Sequence, residues 1–495
     1  MYFVLLCSCH SLFLQKVNQQ MSEDELSYRV KETLRMEPTD EQHDAIATFA
    51  QFLLYRGTNP VMVMKGAAGT GKTSLAGAFV RTMAALGQKV MLLAPTGRAA
   101  KVFALNSGHS AFTIHRRIYR QQTFTGSMTG FLLGDNLHRD TLFIIDEASM
   151  IANEGEGEAR FGSGRLLDDL VKYVYSGQNC RMLLIGDTAQ LPPVGEEESP
   201  ALLPDILAGY GLQVFYCQLD EVLRQGQSSG ILYNATVVRR MIGRDSETLL
   251  PKVRFEGFAD IRMVPGDELI ESLDSSYSHV GTDETIVLTR SNKRANIYNQ
   301  GIRNSVLGRE EELSSGDMLM VVRNNYFWTE QQKTSLDFLA NGDRARVRRV
   351  RNFRSLYGLR FADVSIQLPD YDDIELTCTV ILDSLRSDSP SLTREQSDAL
   401  FQGVNDDYAD VTVKHDRMMK IRDDAYYNAL QVKYAYAVTC HKAQGGQWEH
   451  VYVDQGYMTD DMVTPEYLHW LYTAFTRATQ TLFLVNWPKT QTIGE

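Results

Sequence analysis

Cysteine is scarce in this chain of 495 residues, and no two cysteines stand in a C-x-x-C pair. The six cysteines are Cys7, Cys9, Cys180, Cys217, Cys378 and Cys440. Zinc sites need paired thiolates at short spacing and small secreted scaffolds need disulfides, so both classes are disfavoured. A reducing, cytoplasmic setting is expected.

Long apolar runs and an excess of basic charge are also missing. The apolar run at 2–14 is too short to span a bilayer and lacks a basic leading segment, so we expect no membrane association. Met21 is an alternative start, which makes 1–20 a disordered or extraneous extension. The net charge of −12 excludes a surface that binds nucleic acid everywhere and leaves room for a locally basic channel.

Short apolar runs recur along the chain, each followed by turn residues or a helical pattern. They lie at Val61–Met64, Val90–Ala94, Leu142–Ile145, Met182–Ile185, Ile286–Thr289, Val451–Val453 and Leu482–Val485. Buried parallel strands that alternate with helices are the simplest interpretation. The pattern predicts an α/β protein with two parallel sheets, and the alternating residues near 342–427 predict a small β-rich insertion.

The clearest motif follows the first of these runs, where residues 66–73 fit G-x-x-x-x-G-K-[ST] and lead into a helix. Backbone N–H groups of such a loop wrap a phosphate, the lysine reaches the β- and γ-phosphates, and the threonine offers its hydroxyl to Mg²⁺. The motif predicts a site for ATP and Mg²⁺ at Gly66, Ala67, Ala68, Gly69, Thr70, Gly71, Lys72 and Thr73.

Carboxylates and amides near other runs complete this predicted site. Asp146 and Glu147 end an apolar strand, which places Asp146 for the metal and Glu147 where it polarises a hydrolytic water. Gln190 follows the next strand and either senses the γ-phosphate or belongs to a proline-stiffened turn. Gln42 stands in a capping box with Thr39 and either caps its helix or reads the adenine edge.

The order of these blocks resembles that of superfamily 1 helicases, in particular the RecD-like and Dda-like branch that translocates 5′ to 3′ on DNA. Further blocks of this pattern lie at 93–101, 113–115, 219–225, 436–445 and 471–478, so the resemblance covers about 39–485. It implies two RecA-like P-loop domains with parallel sheets in a monomeric motor. The implied partners are single-stranded DNA and junctions of single-stranded with duplex DNA, with protein partners in replication, repair or recombination left unidentified.

The resemblance also assigns roles to residues far from the P-loop. Arg224 and Arg477 would neutralise charge on the γ-phosphoryl group during hydrolysis, and Gln444 would link nucleotide to DNA. It gives Gln42 the adenine contact. From the residues alone, the favoured interpretation is that both arginines form surface ion pairs and that Gln444 belongs to a polar turn.

The family pattern places a DNA groove across both domains, where contacts with the backbone position the strand without reading its sequence. The residues expected there are Pro95, Thr96, Arg98, Thr113, His115, Thr289, Thr439, His441 and Lys442. The six arginines within 344–354 either extend this path or belong to a solvated edge strand.

Two aromatic residues, Phe124 and Phe131, lie in a predicted hairpin insertion at about 119–138. In the family this position carries a pin that splits the duplex, so the two rings would stack on bases at the fork. The alternative is that they fold back into the core.

The resemblance sets the expected domain boundaries and the rival functions. We expect a first RecA-like domain at 21–215, a second at 216–341 and 428–489, and an SH3-like insertion at 342–427. The rivals are a helicase of opposite polarity, a DNA-stimulated ATPase that remodels protein–DNA complexes without processive unwinding, and an unrelated P-loop ATPase.

Overall fold

The computed structural model describes residues 21–34, 36–121, 131–154, 161–222, 228–242, 250–334, 336 and 338–493. The predicted extension at 1–20 lies outside these residues. Contacts along the chain divide the described residues into two compact units. The second unit comprises 96–98 and the chain from 228 onward, and the first unit comprises the rest.

The first unit is built on a parallel sheet with the strand order β3-β2-β6-β7-β1-β8 in its described part. Strands up to residue 222 are β1 Pro60–Gly66, β2 Lys89–Ala94, β3 Ala111–Thr113, β4 Tyr119–Gln121, β5 Phe131–Leu133, β6 Thr141–Ile145, β7 Arg181–Gly186 and β8 Gln213–Leu219. Valine, leucine, isoleucine and methionine fill β1, β6 and β7 and are buried there, as expected for central strands covered on both faces.

Helices alternate with these strands. They are α1 Glu23–Leu34, α2 Asp40–Leu54, α3 Lys72–Ala85, α4 Gly97–Ser107, α5 Ile114–Ile118, α6 Leu166–Ser176 and α7 Pro204–Gly209, with 3-10 turns at Ala148–Met150 and Pro200–Leu202. The predicted capping box opens α2 with Thr39 and Gln42. Phe49 of α2 stacks on Phe79 of α3 with ring centroids 3.8 Å apart, so the helix that follows the P-loop is tied into the core.

The second unit contains another parallel sheet, with the order β10-β19-β18-β11-β17 in the part described. Strands from residue 228 onward are β9 Val253–Arg254, β10 Ile261–Val264, β11 Thr285–Thr289, β12 Met318–Val321, β13 Arg344–Leu356, β14 Leu359–Leu368, β15 Ile374–Ile381, β16 Leu430–Tyr434, β17 Ala437–Thr439, β18 Trp448–Asp454, β19 Ala478–Val485 and β20 Thr492–Ile493. The two-sheet prediction is confirmed.

Helices of the second unit cover its sheet and one end of its barrel. They are α8 Gly230–Ile242, α9 Leu269–His279, α10 Asn292–Gly301, α11 Phe327–Gln331, α12 Arg394–Asp407, α13 Lys414–Arg422, α14 Cys440–Ala443 and α15 Pro465–Phe475. A π-helix lies at Ile302–Val306, and 3-10 turns lie at Leu382–Ser384, Asp460–Met462 and Lys489–Gln491. No helix in the described ranges is long and apolar enough to cross a membrane.

The β-rich insertion is a closed barrel of β12 to β16. Helices α12 and α13 lie between β15 and β16 in the chain and pack on the barrel through Leu400, Val404 and Ile421, which join Leu359 and Phe361 in one apolar cluster. The barrel thus carries its own small core.

Two expected domain boundaries differ from the structure. A boundary at 215/216 would cut β8, which pairs with β1 along its whole length and belongs to the first sheet. An insertion at 342–427 would omit β12 and β16, although both strands are needed to close the barrel. The barrel strands therefore run from 318 to 434.

Candidate active site

The loop between β1 and α3 has the conformation that a phosphate-binding loop needs. Gly69 and Gly71 have φ angles of 79° and 81°, which a residue with a side chain adopts only with strain. The Thr70 hydroxyl donates to the carbonyl of Ala67 at 2.9 Å. Gly71 is the N-cap of α3 and no side chain caps this helix, so its first N–H groups can bind an anion.

Lys72 is held against this loop. Its Nζ donates to the carbonyl oxygens of Gly66 and Ala67 at 2.9 and 2.8 Å. The charge of Lys72 also acts on the carboxyl group of Asp146, where it partly offsets a rise in pKa caused by burial. The end of β6 and the start of α3 therefore lie close enough for one ligand to contact both.

The paired carboxylates end β6 as predicted. Burial is the main cause that raises the pKa of Asp146, the neighbouring charge of Glu147 adds to it, and Lys72 opposes both. The Glu147 N–H donates to Asp146 Oδ1 at 2.9 Å. Glu147 has a φ of 51°, a left-handed conformation that costs a side-chain-bearing residue about 1–3 kcal/mol and is typical of functional sites.

These carboxylates and Thr73 fit a divalent cation. The ionised form of Asp146 is disfavoured by burial and by Glu147, and a cation would offset both effects. Carboxylate and hydroxyl oxygens are the donors that Mg²⁺ prefers. Asp146 and Thr73 are the residues of this chain that would hold it.

Gln190 and Gln42 border the same sheet edge. Gln190 is buried on the turn after β7, where Asp187 Oδ1 accepts from the Ala189 N–H at 3.0 Å. Gln42 is buried, caps α2 and donates from Nε2 to the carbonyl of Thr70 at 2.9 Å. Gln42 therefore caps α2, and its amide also braces the P-loop.

The carboxylate of Asp187 is visible in the sequence at this strand end, but no role is predicted for it. It follows β7 directly, as Asp146 follows β6, and it is fully buried. A carboxylate at the carboxyl end of a buried strand was the available signal.

In the second unit, Gln444 and Arg477 lie near one another. Arg477 Nη1 donates to the carbonyl of Gly446 at 3.2 Å and Nε to that of Thr473 at 3.1 Å. The guanidinium is almost fully buried, yet within the described chain it forms no ion pair with a carboxylate. A buried cation compensated only by neutral oxygens favours an anionic ligand. Gln444 is buried two residues before Gly446.

Residues predicted to contact DNA cluster at strand ends in each unit. Ala94 and Thr113 are register partners, which places Thr113 beside Pro95 at the carboxyl edge of the first sheet. Thr289 and Thr439 are register partners in the second sheet. His441 and Lys442 follow Thr439 on α14.

Burial sets the charge of several of these side chains. It lowers the pKa of His115 to about 4, so the imidazole is neutral at pH 7 and packs 5.1 Å from the Phe161 ring. It lowers the pKa of His441. Burial, and after it the charge of Lys433, lowers the pKa of Lys442 to about 8. Lys442 is thus charged at neutral pH.

Arg98 belongs to the short stretch 96–98, together with Thr96, that groups with the second unit. Its guanidinium stacks on Trp448 at 4.5 Å and lies 3.5 Å from Glu284 and 3.8 Å from Asp370. Burial lowers the pKa of Arg98 to about 10. The side chain is enclosed by packing and ion pairs rather than presented to solvent.

Comparison with known proteins gives two matching families. The AAA domain family matches residues 37–241, and the UvrD-like helicase C-terminal domain family matches 434–485. An ATP-dependent RecD2 DNA helicase of Deinococcus radiodurans is 36% identical over 135 residues, which is 27% of this chain and 16% of that protein. The chain belongs to the superfamily 1 helicases of the RecD-like branch.

Two further proteins are similar to this helicase over most of its length. An uncharacterized protein of Acanthamoeba polyphaga mimivirus is 24% identical and matches 86% of this chain and 95% of its own length. A crystal structure of Pif1 helicase from Bacteroides with ADP-AlF3 and ssDNA covers 93% of this chain and 95% of that one, at 16% identity and a TM-score of 0.46.

The predicted pin of the helicase is described only at its base. Strands β4 and β5 pair antiparallel, with Tyr119 opposite Leu133. Phe131 is buried and its ring lies 5.0 Å from that of Phe161, which matches the alternative that this aromatic folds back into the protein. Phe124 at the expected tip and Arg224 both lie outside the described residues.

One further aromatic of the helicase escaped sequence reasoning. Tyr457 follows β18 and is 81% exposed. Asp454 at the end of β18 pairs with Thr289 of β11. The loop that carries Tyr457 therefore begins at the sheet edge where the predicted DNA contacts lie. An exposed aromatic at the end of such a strand was the signal that could have found it.

Proposed function

We propose that this helicase is an ATP-driven motor that translocates 5′ to 3′ on single-stranded DNA and unwinds duplex DNA. The observation that supports the ATP-dependent part is the P-loop with Lys72 held against it, together with the buried Asp146 on which the Lys72 charge acts. The 5′-to-3′ direction rests on the resemblance of its ordered blocks to the RecD-like branch.

Each residue of the nucleotide site has a proposed role. Lys72 and the N–H groups at the start of α3 bind the β- and γ-phosphates, and Glu147 accepts a proton from the attacking water. Asp146 and Thr73 would hold Mg²⁺, which would supply Lewis-acid neutralisation of phosphate charge when bound.

The remaining nucleotide residues complete this proposal. Gln42, besides capping α2, contacts adenine with its amide. Gln190 senses the γ-phosphate, and Gln444 couples the state of the nucleotide to the DNA contacts that follow Thr439. Arg477 is proposed to neutralise charge on the γ-phosphoryl group, because its guanidinium is buried without a carboxylate in the described chain. Arg224 retains the same proposed role from the resemblance alone.

The proposed DNA contacts follow the strand ends. Hydroxyls of Thr113, Thr289 and Thr439 and the charged amine of Lys442 contact the backbone of one strand, which binds without sequence preference. Tyr457 adds an aromatic surface for a base. The helicase is proposed to act as a monomer.

Steady-state ATP turnover with and without a single-stranded oligonucleotide tests the assignment of the site. Lys72→Ala should reduce DNA-stimulated turnover by about 100-fold or more, because it removes the cation that neutralises transferred charge. Lys172→Ala removes an exposed lysine of the same unit that pairs with its helix neighbour Asp168, and it should change little.

Two results would overturn this proposal. Turnover by Lys72→Ala near the wild-type rate would show that the P-loop assignment is wrong. Wild-type turnover that is indifferent to DNA would favour an unrelated P-loop ATPase instead of a nucleic-acid motor.

A further inference from the structure

Strand β13 of the barrel has six arginines, and the first two are paired with carboxylates. Arg344 lies 3.6 Å from Asp370, and Arg346 pairs with Asp283. Both are held by these carboxylates. Two of the six arginines of this strand are therefore structural.

Two more arginines are matched by carboxylates on the barrel itself. Arg348 lies 3.7 Å from Glu375, and Arg354 lies 3.4 Å from Asp363 and donates to the Tyr426 hydroxyl at 2.6 Å. The carboxylates on this face are thus already paired.

Arg349 and Arg351 remain. Both are exposed, and neither forms a hydrogen bond or ion pair with a residue that the structure describes. They lie in a regular part of β13, opposite Ser365 and Asp363 on β14, so both point to the same face of the sheet. That face has two surplus positive charges.

A shallow groove of about 380 Å³ lies on this face. Ser365 and Thr377, register partners on β14 and β15, line it together with arginines 348, 349 and 351. Asp363 and Glu375 also line it, and these carboxylates pair with Arg354 and Arg348. Neither hydroxyl forms a hydrogen bond within the described chain. Guanidinium and hydroxyl donors that converge on one groove are the donor set that binds phosphate oxygens.

The lining favours duplex over single-stranded nucleic acid. Proteins that bind single strands without sequence preference stack bases on aromatic rings, and no aromatic residue lines the described groove. A duplex keeps its bases stacked inside and presents its backbone. The Cα atoms of Arg349 and Arg351 are about 6.8 Å apart along the strand, which equals about two axial steps of 3.4 Å along one strand of a duplex.

We propose that the outer face of the barrel binds the phosphate backbone of duplex DNA through Arg349 and Arg351, with Ser365 and Thr377 as further donors. This site is separate from the strand-end residues that contact single-stranded DNA. The proposal rests on the proposed function only in taking duplex DNA as the substrate, and it needs neither ATP nor a direction of movement.

Equilibrium binding without nucleotide tests it on the full chain. The probes are a blunt duplex of about 20 base pairs and a thymidine oligonucleotide of about 10 nucleotides, which cover both modes of binding. Arg349→Gln/Arg351→Gln should weaken duplex binding about 10-fold near 100 mM salt and lower the slope of log K against log salt by about 2. Binding of the oligonucleotide and the ATP turnover it stimulates should stay within about twofold, since those contacts are elsewhere.

A matched control removes the same charge from the helices that pack on the barrel. Arg394 is 95% exposed and starts α12, and Lys414 is exposed at the start of α13, so Arg394→Gln/Lys414→Gln should leave duplex binding unchanged. Arg349→Lys/Arg351→Lys should restore most of the affinity, because backbone contacts depend on charge.

Three outcomes would overturn the proposal. The first is duplex binding by the double glutamine variant equal to that of the control pair. The second is aggregation of that variant with no loss of duplex affinity, which would mean that the arginines only protect a strand edge. The third is loss of binding to an acidic peptide of about 12 residues with duplex binding intact, which would assign the face to a protein partner. If single-strand-stimulated turnover fails in the wild type while duplex binding responds as predicted, the motor proposal fails and the barrel site stands.

Discussion

Lys442 is the residue whose charge state most directly ties the proposed DNA contact to pH. Burial, and after it the charge of Lys433, lowers the pKa of Lys442 to about 8. A phosphate contact needs the protonated amine and therefore raises this pKa in the complex. Affinity for single-stranded DNA should be full below pH 7 and fall as pH rises through 8, by about 10-fold between pH 7 and pH 9.

Two substitutions separate Lys442 from other titrating groups. Lys442→Arg should bind at pH 7 like the wild type and keep its affinity at pH 9, because a guanidinium stays charged. Lys442→Gln should bind more weakly at pH 7 and show a flat profile. A wild-type affinity that does not change between pH 7 and pH 9 would remove Lys442 from the DNA contacts.

Candidate site residues could be located from the sequence where the chemistry is local. The P-loop, the paired carboxylates and the capping box each lie within a few consecutive residues, so spacing alone indicated them. Partners distant in sequence could not be predicted. Arg98 contacts Glu284, 186 residues away, and Phe131 is buried by Phe161, so both differ from the exposed side chains that the pattern favours.

At the scale of elements, α3 connects the nucleotide site to the core. It begins at Lys72, and seven residues later Phe79 stacks on Phe49. Phe79→Ala should lower the free energy of unfolding by about 3–5 kcal/mol, because it leaves a cavity between α2 and α3. Urea unfolding followed by circular dichroism measures this change.

An exposed residue of the same unit provides the control for Phe79. Leu105 on α4 is 75% exposed, and Leu105→Ala should change stability by less than about 0.5 kcal/mol. A loss below about 1 kcal/mol for Phe79→Ala would mean that the stacked pair does not anchor the helix.

Elements with a strong periodic signal were predicted, and elements defined by distant pairing were not. Central strands such as β6 are continuous apolar runs. In contrast, β8 is a sheet-edge strand with several exposed or half-exposed positions, and only its pairing with β1 assigns it to the first sheet. Closure of the barrel likewise depends on β12 pairing with β16, which lies more than 100 residues later in the chain. Local sequence does not encode that register.

At the scale of the whole molecule, a net charge of −12 is compatible with the proposed DNA binding. The cations proposed to contact DNA are confined to small areas of the surface. Lys442 lies at a strand end in the second unit, and the two surplus arginines lie on the barrel. Carboxylates neutralise most other arginines of the barrel strand β13. Composition therefore gave no indication of DNA binding, whereas the ordered motifs did.

Unwinding of two matched duplexes, one with a 5′ and one with a 3′ single-stranded tail, tests the central claim most directly. With ATP and Mg²⁺, we expect the wild-type chain to unwind the 5′-tailed duplex only, and Lys72→Ala to unwind neither. Unwinding of only the 3′-tailed duplex would contradict the proposed direction. Failure on both tails, despite DNA-stimulated ATP turnover, would contradict the helicase claim and favour an ATPase that remodels protein–DNA complexes.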